Sequence, residues 1–310
     1  MAGDRVPAAE MQCARCGEPA VVHLTGPDRR LCAAHFIEDV ETRVATALEC
    51  GRMITPGDRI AVGLSGGKDS TALLLLLHRL VPRTDATLVA VTVDEGIAGY
   101  REETLRAAEV LTAELGVEHR IVTFPDLFGG DLDRLLVGRE AQGCTVCGVL
   151  RRRALVEAAR RTGATKLATG HNLDDEAQSV LMNVLRGDLP HLLHDTATGL
   201  PGQFVPRIKP LAVLSEKEIT IYLLLRAYYR DLPECPYAGT ALRSEVRTML
   251  ATMEHRHPGT MGRLMQFREE IRGSASPTEP AGELRLCRIC GELASGEVCQ
   301  VCRLLGREER

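Results

Sequence analysis

The spacing of the cysteines constrains this chain more than any other feature. Ten of its eleven cysteines fall into three groups, one towards each end of the chain and one in the middle. Each terminal group contains two pairs of metal-ligand side chains: Cys13, Cys16, Cys32 and His35 in the first, and Cys287, Cys290, Cys299 and Cys302 in the second. This spacing is typical of a closed zinc site, in which four side chains hold one ion tetrahedrally. The sequence therefore predicts two structural Zn²⁺ modules, one on each side of a central domain.

The composition is that of a folded, water-soluble protein. Hydrophobic residues make up 45% of the 310 residues and charged residues 26%, and the mean hydropathy is −0.05. The longest apolar run, Ala72–Leu77, is far shorter than the roughly 20 apolar residues of a membrane-spanning helix, and residues 1–12 lack the apolar core of a secretory signal. We therefore expect a cytoplasmic protein that makes no membrane contact, and whose cysteines serve as metal ligands or reactive thiols rather than disulfides.

Between the zinc modules, strand-like and helix-like segments alternate. The predicted strands are 59–64, 87–93, 118–124 and 166–170, and the predicted helices that separate them are 70–80, 101–115, 148–161 and 173–185. This alternation is typical of an α/β protein with a doubly wound parallel sheet. Ligands bind beyond the carboxyl ends of such strands, so the loops after Leu64, Val93 and Gly170 should share one crevice.

Towards its C-terminal end the central part becomes helical, with predicted helices at 216–230, 243–255 and 262–272. The stretch 273–282 is rich in Gly, Ser and Pro, which is typical of a linker. We therefore divide the chain into an N-terminal zinc-finger module at 1–50, a central α/β domain with a helical C-terminal part at 51–272, and a linker with a zinc ribbon at 273–310.

The first predicted strand runs into a glycine-rich loop, residues 65–70, with the sequence SGGKDS. Its glycines allow a tight turn, so that main-chain N–H groups and the N-terminus of the following helix can face a phosphate. The loop is not a Walker A loop, because three residues instead of four separate Gly63 from Gly67, and Asp69 follows Lys68 where Ser or Thr is needed. If the loop is considered without other motifs, an ordinary glycine-rich turn with a helix cap is the simpler explanation.

The six residues nevertheless resemble the PP-loop of the N-type ATP pyrophosphatases, which split ATP into AMP and pyrophosphate while adenylating a substrate. The run TGHNLDDEA at 169–177 resembles that family's second signature. The resemblance implies an adenine nucleotide alpha hydrolase-like fold in which a main-chain group of Val93 holds adenine. It implies an ATP site formed by Gly63, Ser65, Gly66, Gly67, Lys68, Asp69, Ser70, Val93 and Gly170.

The acidic residues of the second signature have two explanations. Asp174 and Asp175 could hold Mg²⁺ on the ATP phosphates, since this ion prefers one or two carboxylates plus phosphate oxygens. Both also stand where an acidic residue caps a helix and compensates its dipole. We favour the ATP site for Asp175 and leave both explanations open for Asp174. We expect His171 to orient the loop.

The central cysteines have a different pattern. Cys144 and Cys147 precede a helix, Cys235 lies far downstream, and three cysteines without a local fourth ligand do not suit a closed zinc site. They suit either a redox-active, sulfur-carrying pair or an iron–sulfur cluster with one iron left open. The helix start and the arginines at 151–153 are expected to lower the pKa values of the thiols. Cys50 has no partner at ligand spacing and is predicted to be a small core residue.

Taken in order, these motifs resemble the two-zinc-finger tRNA 2-thiouridine synthetases over nearly the whole chain. This family includes bacterial and archaeal 2-thiouridine or 2-thio-ribothymidine enzymes and the eukaryotic cytoplasmic tRNA thiolation protein. The resemblance implies a tRNA sulfurtransferase that acts as a homodimer, carries a [4Fe–4S] cluster on Cys144, Cys147 and Cys235, and takes sulfur from a ubiquitin-like thiocarboxylated protein. It implies ATP contact by Arg151, where relatives often carry Lys, although the two side chains are not equivalent. Asp69 and the three cysteines are the predicted catalytic residues.

The chemistry agrees with these parts. A uridine carbonyl oxygen is a poor leaving group, so ATP must convert it to an adenylate before sulfur attacks C2. A [4Fe–4S] cluster held by three thiolates has one iron without a protein ligand, and this iron can position the sulfur nucleophile. A net charge of −4 does not exclude tRNA, because affinity depends on local patches. Two explanations fit nine basic residues of the central domain: they form such a patch, or they lie on exposed helix faces. These residues are Arg151, Arg152, Arg153, Arg160, Arg161, Arg207, Lys209, Arg226 and Arg230.

Several alternatives stay open. A cluster-free persulfide sulfurtransferase would use the same loop with two cysteines cycling through a disulfide. A non-catalytic zinc-ribbon RNA-binding scaffold would retain only the fold, and a lysidine-type or amide-forming ligase ranks last because it needs no cysteine triad. Overall resemblance to the bacterial branch favours uridine 54 in the T loop (U54) as the target, with uridine 34 in the anticodon (U34) as the alternative.

Overall fold

The computed structural model describes residues 12–24, 29–193, 205–233, 235–237, 242–274 and 285–309. Residues 1–11, whose composition predicts no secretory signal, and most of the predicted linker, 275–282, lie outside the described residues.

The N-terminal unit combines a small hairpin with a long helix. Strands β1 (Val22–Leu24) and β2 (Arg29–Leu31) pair antiparallel, and helix α1 (Ala33–Cys50) follows. The sequence analysis did not predict this helix. Its buried apolar side chains recur every fourth residue, which gives it one apolar face: Phe36, Val40, Val44 and Leu48. Cys50 ends the helix and is exposed, so the prediction that it is a core residue is wrong.

Among the described residues, a five-stranded parallel sheet forms the centre of the molecule. Its strands are β3 (Arg59–Gly63), β4 (Thr87–Asp94), β5 (Glu118–Thr123), β6 (Lys166–Ala168) and β7 (Arg207–Ile208), in the order β5-β4-β3-β6-β7. The predicted α/β class with a doubly wound parallel sheet is confirmed. Strand β7 was not predicted, because two residues are too short for a recognisable pattern.

Helices cover both faces of this sheet. They are α2 (Lys68–Leu80), α3 (Arg101–Leu115), α4 (Phe124–Phe128), α5 (Leu132–Leu135), α6 (Gly143–Arg161), α7 (Leu173–Arg186), α8 (Leu189–Leu193), α9 (Glu216–Leu225), α10 (Leu242–Arg256) and α11 (Thr260–Ser274). Helix α2 is apolar around most of its circumference because it is buried in one core with α1 and α9. Helix α6 packs on the opposite face in a second core. None of the described helices combines the length and apolarity needed to cross a bilayer.

The predicted helix 216–230 is shorter in the structure. Helix α9 ends at Leu225, and Ala227 takes a left-handed backbone conformation with φ +60°, which a continuing α-helix cannot contain. Helices α10 and α11 pack together with α7.

The C-terminal unit consists of strands β8 (Arg285–Leu286) and β9 (Leu293–Ala294) and helix α12 (Gln300–Leu304). It rests on α6. Glu292 accepts two hydrogen bonds of 2.8 Å from Arg160 and forms an ion pair with Arg153. Val301, Leu304 and Leu305 pack against the core that contains α6. Arg153 and Arg160, two of the basic residues considered for an RNA-binding patch, are therefore used within the protein as attachment points for this unit.

Candidate functional site

Both terminal quartets are assembled as candidate metal centres. In each of them the four ligand atoms lie within 4.8 Å of one another. His35 Nδ1 lies 3.4 Å from Cys13 Sγ and 3.3 Å from Cys32 Sγ. Burial opposes ionisation of Cys13 and Cys287, but main-chain N–H groups outweigh it and lower the pKa of each thiol to about 6. Burial raises the pKa values of Cys299 and Cys302 in the second quartet, so a bound metal ion would have to favour their thiolates.

The glycine-rich loop is as tight as its sequence predicts. Gly66 has φ +89°, and a Cβ atom there would lie 2.1 Å from the carbonyl oxygen of Thr104, so the position accepts glycine alone. Ser70 closes the turn: its Oγ accepts from the N–H of Ser65 at 3.1 Å and donates to the carbonyl of Gly67 at 2.9 Å. The loop therefore has a fixed shape before any ligand binds.

The loop after β6 lies against this glycine-rich loop. A Cβ atom on Gly170 would lie 3.1 Å from the main-chain carbon of Asp69, so the two loops touch through their backbones. Asn172 Nδ2 donates to Asp69 Oδ1 at 3.0 Å. Lys68 Nζ pairs with Asp69 at 3.0 Å and with Glu216 at 2.9 Å. Burial opposes the charge of Lys68, but the two carboxylates outweigh it and raise its pKa.

Asp174 and Asp175 both serve as helix caps. Asn172 and Asp175 form a reciprocal capping box at the start of α7, and Asp174 accepts from the N–H of Glu216 at 2.8 Å at the start of α9. Burial raises the pKa of Asp175, and the charge of Asp69 adds to this effect. Asp69 and Asp175 thus interact electrostatically, and each also bonds Asn172.

A buried arginine, which the sequence analysis missed, joins the glycine-rich loop to β4. Arg101 donates to the carbonyl of Ser65 at 2.8 Å and to the carbonyl of Val93, and its Nε lies 2.9 Å from Glu95. Arg101 and Glu95 are each 4% exposed. The carbonyl of Val93, where the resemblance implies adenine contact, is therefore already hydrogen-bonded.

Glu95 also reaches the central cysteines. Its second oxygen lies 2.7 Å from Nε of Arg151, whose Nη2 donates to Cys147 Sγ at 3.0 Å. Glu95 and Cys147 together raise the pKa of Arg151 although burial opposes its charge. One carboxylate thus connects the phosphate loop, through Arg101, with the cysteine site, through Arg151.

Cys144 and Cys147 lie in the first turns of α6, which begins five residues earlier than predicted, and Cys235 approaches them from a distant part of the chain. Cys144 Sγ donates to the carbonyl of Tyr237 at 2.8 Å, and Cys235 interacts electrostatically with both other thiols. The three thiols are more widely spaced than the terminal quartets, as thiols that bind different iron atoms would be. The prediction of lowered thiol pKa values is wrong for Cys144 and Cys147: Arg151 lowers both, but burial has the larger effect and raises them.

His171 has the orienting position expected of it. Its Nδ1 lies 2.9 Å from the hydroxyl of Thr169. Burial, followed by the charges of nearby arginines and a lysine, lowers its pKa to about 4. His171 is therefore neutral at physiological pH.

Comparison with known proteins gives matches across the chain. The model of the PP-loop domain matches residues 37–231, and a model described as the N-terminal LIM domain of 2-thiouridine synthetase TtuA matches residues 12–37. Cytoplasmic tRNA 2-thiolation protein 1 of Bos taurus is 40% identical over 303 residues, which cover 95% of this chain and 87% of the relative. The tRNA 2-thiolation protein NcsA of Haloferax volcanii is 38% identical, with 95% and 98% covered.

A solved structure is similar over nearly the full length. It is the U34-tRNA thiolase NcsA from Methanococcus maripaludis with its [4Fe–4S] cluster, 34% identical, with a TM-score of 0.84 and 96% of both chains covered.

Proposed function

This chain belongs to the PP-loop family of tRNA 2-thiolation proteins, and on that premise we propose that it uses ATP to replace the C2 oxygen of a tRNA uridine by sulfur. One observation carries the proposal above the others. The phosphate loop and the central cysteines are joined through Glu95, which pairs with Arg101 on one side and Arg151 on the other, and this supports a site where an activated base meets a sulfur source.

In this proposal ATP binds over residues 65–70, with Gly63, Val93 and Gly170 completing the nucleotide site, and is split to AMP and pyrophosphate. The rigid loop presents N–H groups to the phosphates, and the charge of Lys68, which Asp69 and Glu216 favour, compensates phosphate charge. Mg²⁺ on the phosphates would be held by Asp69 and Asp175. The adenylate that results makes the C2 oxygen a good leaving group.

The central thiols are proposed to hold a [4Fe–4S] cluster, and the presence of such a cluster in the solved relative supports this. Three thiols from two segments fit a cluster with one iron left without a protein ligand, and such an iron can bind and orient sulfur. The guanidinium of Arg151 orients the thiol of Cys147, and the main chain of Tyr237 orients that of Cys144. The proposed ATP contact by Arg151 would have to compete with this role.

The remaining metals and partners are part of the same proposal. The two terminal quartets hold one structural Zn²⁺ each, since four converging thiolate or imidazole ligands leave no open position. The chain works in the cytoplasm as a homodimer and receives sulfur from a ubiquitin-like thiocarboxylated protein.

The target uridine has two candidates. The resemblance to the bacterial branch supports U54 in the T loop. The solved relative is named a U34-tRNA thiolase, and this supports U34 as the second candidate. Mass spectrometry of nucleosides from isolated T-loop and anticodon-loop fragments of tRNA distinguishes the two candidates, because the 2-thiouridine is found in the fragment that contains the target uridine.

The decisive experiment uses full-length protein purified without oxygen and supplied with ATP, sulfide and unmodified tRNA. We expect AMP, pyrophosphate and 2-thiouridine. Cys144→Ser, Cys147→Ser and Cys235→Ser should each lose iron and thiolation while ATP binding persists, because the phosphate loop belongs to another strand–helix junction. Cys50→Ser is the matched control, since this cysteine is exposed at the end of α1.

Three results would contradict the proposal in different ways. ADP as the product would exclude the pyrophosphatase chemistry. Thiolation at the full rate by iron-free protein would favour the persulfide mechanism over the cluster. Absence of both AMP and 2-thiouridine would favour the non-catalytic scaffold.

A further inference from the structure

A group of cationic side chains lies beside the crevice on the β7 side of the sheet. Arg152 comes from α6, Arg207 from β7 and Arg243 from the first turn of α10, and all three act electrostatically on His171 in the loop after β6. We call these four residues the arginine cluster. Because four separate elements contribute to it, the fold itself brings these charges together.

The arginine cluster has no directly paired carboxylate among the residues that the structure describes, and Asp175 acts on Arg243 only from a distance. None of its three guanidiniums forms an ion pair with a described carboxylate, and Arg207 Nε is buried without a hydrogen-bond partner. Arg243 makes two long contacts of 3.5 Å to Gln178 and Ser179, which are neutral. Glu176 acts on Arg207 from a distance but pairs with Lys209 at 2.8 Å.

The neighbours of Arg152 on the same helix differ from it. Arg151 pairs with Glu95, and Arg153 pairs with Glu292. By contrast, Arg152 lies within electrostatic reach of Arg207 and Arg243, and partial desolvation of this exposed side chain together with their charges lowers its pKa. Gathering like charges and leaving them unpaired costs free energy, which a bound anion would offset.

The position of the cluster indicates which anion this is. His171 follows Gly170, which touches the phosphate loop at Asp69, and Arg152 follows Arg151, which contacts Cys147. The cluster therefore adjoins the loop that touches the phosphate loop, and its Arg152 is the next residue on α6 after the arginine that contacts Cys147. Planar guanidiniums match phosphate oxygens through paired hydrogen bonds, and neutral His171 adds a polar group without further repulsion. A nucleotide whose base is taken out of its stack needs its backbone held on both sides.

We propose that Arg152, Arg207, Arg243 and His171 bind a backbone phosphate of the substrate tRNA adjacent to the uridine that is thiolated. The inference rests on the proposed function and deepens it, since it assigns the RNA contact to a small set of residues. It also separates these residues from Arg153 and Arg160, which attach the C-terminal unit.

The test measures tRNA binding by fluorescence anisotropy at several KCl concentrations, with wild type and with Arg152→Gln, Arg207→Gln and Arg243→Gln. Each substitution should weaken binding about tenfold and reduce the slope of log Kd against log salt by about 1. Arg120→Gln is the matched control, because Arg120 is 65% exposed on β5, at the other edge of the sheet. Thermal unfolding checks that each variant is folded. Arg152→Gln and Arg243→Gln, at exposed positions, carry the test if Arg207→Gln fails to fold.

ATP affinity, measured by calorimetry on the same proteins, identifies the source of the phosphate. The ATP affinity of the three arginine variants should equal that of wild type. Loss of ATP affinity with an unchanged salt slope for tRNA would assign the cluster to ATP and overturn the proposal, and so would variants that match wild type in both assays. If wild type binds tRNA but forms no 2-thiouridine, the proposed function fails, and the salt slopes still decide whether the cluster contacts an RNA phosphate.

Discussion

Replacement of Glu95 by glutamine tests the connection between the phosphate loop and the cysteine site. The substitution keeps the size of the side chain and removes its charge. Arg101, which is 4% exposed, would then be a buried cation without its carboxylate, while Arg151 would lose a partner on a side chain that is 45% exposed. The loss of the ion pair with buried Arg101 should therefore lower the stability of the protein more than the loss of the pair with Arg151.

The expected loss in the free energy of unfolding depends on how deeply each ion pair is buried. Removing one partner of a buried ion pair costs about 3–5 kcal/mol. Arg101 keeps acceptors on Ser65, Val93 and Thr104, so we expect the lower value, about 3 kcal/mol. The partly exposed pair with Arg151 adds less than about 1 kcal/mol. At about 2–4 °C per kcal/mol for a domain of this size, Tm should fall by roughly 6–12 °C.

The assay is thermal unfolding of anaerobically prepared protein, followed by AMP formation from ATP at a temperature where the variant is folded. Glu118→Gln is the control, since this carboxylate pairs with Arg59 and Arg120 and is 40% exposed. It should cost less than about 1 kcal/mol. We expect Glu95→Gln to reduce AMP formation as well, because Arg101 would keep its bonds to Ser65 and Val93 but lose the carboxylate that fixes its position. A Glu95→Gln protein as stable as wild type would refute this reasoning.

Further predictions concern the two kinds of site and the pH dependence. Asp69→Ala should remove ATP turnover and leave the zinc content unchanged, because it alters phosphate or magnesium handling and not packing; elemental analysis and an AMP assay check both parts. Cys290→Ala should lose one zinc per chain and unfold the C-terminal unit while the sheet stays intact, since ligation contributes about 10 kcal/mol or more in small zinc modules; a variant that retains two zincs would contradict the assignment. Gly66→Ala should abolish ATP binding, since its Cβ would meet a main-chain oxygen at 2.1 Å, whereas Gly138→Ala, with a similar φ of +74° and open space around it, should bind ATP normally. The pKa of His171 falls from 6.5 to about 4 on folding, so below about pH 6.5 the unfolded chain takes up a proton that the folded chain refuses. The free energy of unfolding should therefore decrease by up to about 1.4 kcal/mol per pH unit as the pH falls towards 4, and His171→Gln should remove this part of the slope in urea titrations.

Features that depend on local spacing could be predicted from the sequence. The helix predicted at 101–115 has those bounds in the structure, and the ligands of both terminal quartets converge. The glycine-rich loop also has its predicted place between a strand and a helix, because its tight turn is encoded in adjacent residues. Such features need no knowledge of which distant segments pack together.

Features that depend on tertiary contacts could not be predicted in this way. The pairing of Glu95 with Arg101 has no signal of its own, since single charged residues are common on any surface. The raised pKa of Cys147 follows from burial, which the neighbouring arginines in the sequence do not reveal. Helix α1 was not predicted because the prediction for the first part of the chain used only the metal ligands. An apolar residue at every fourth position does indicate this helix.

The attachment of the C-terminal unit has a consequence for RNA selectivity. Arg153 and Arg160 lie two turns apart on α6 and share Glu292, and the apolar side chains of α12 cover the surface beside them. A shortened protein that ends after α11 would expose an apolar patch bordered by two arginines without their shared carboxylate. Such a surface attracts nucleic acids regardless of sequence and promotes aggregation. By covering this surface, the C-terminal unit removes a place where RNA would bind regardless of its sequence.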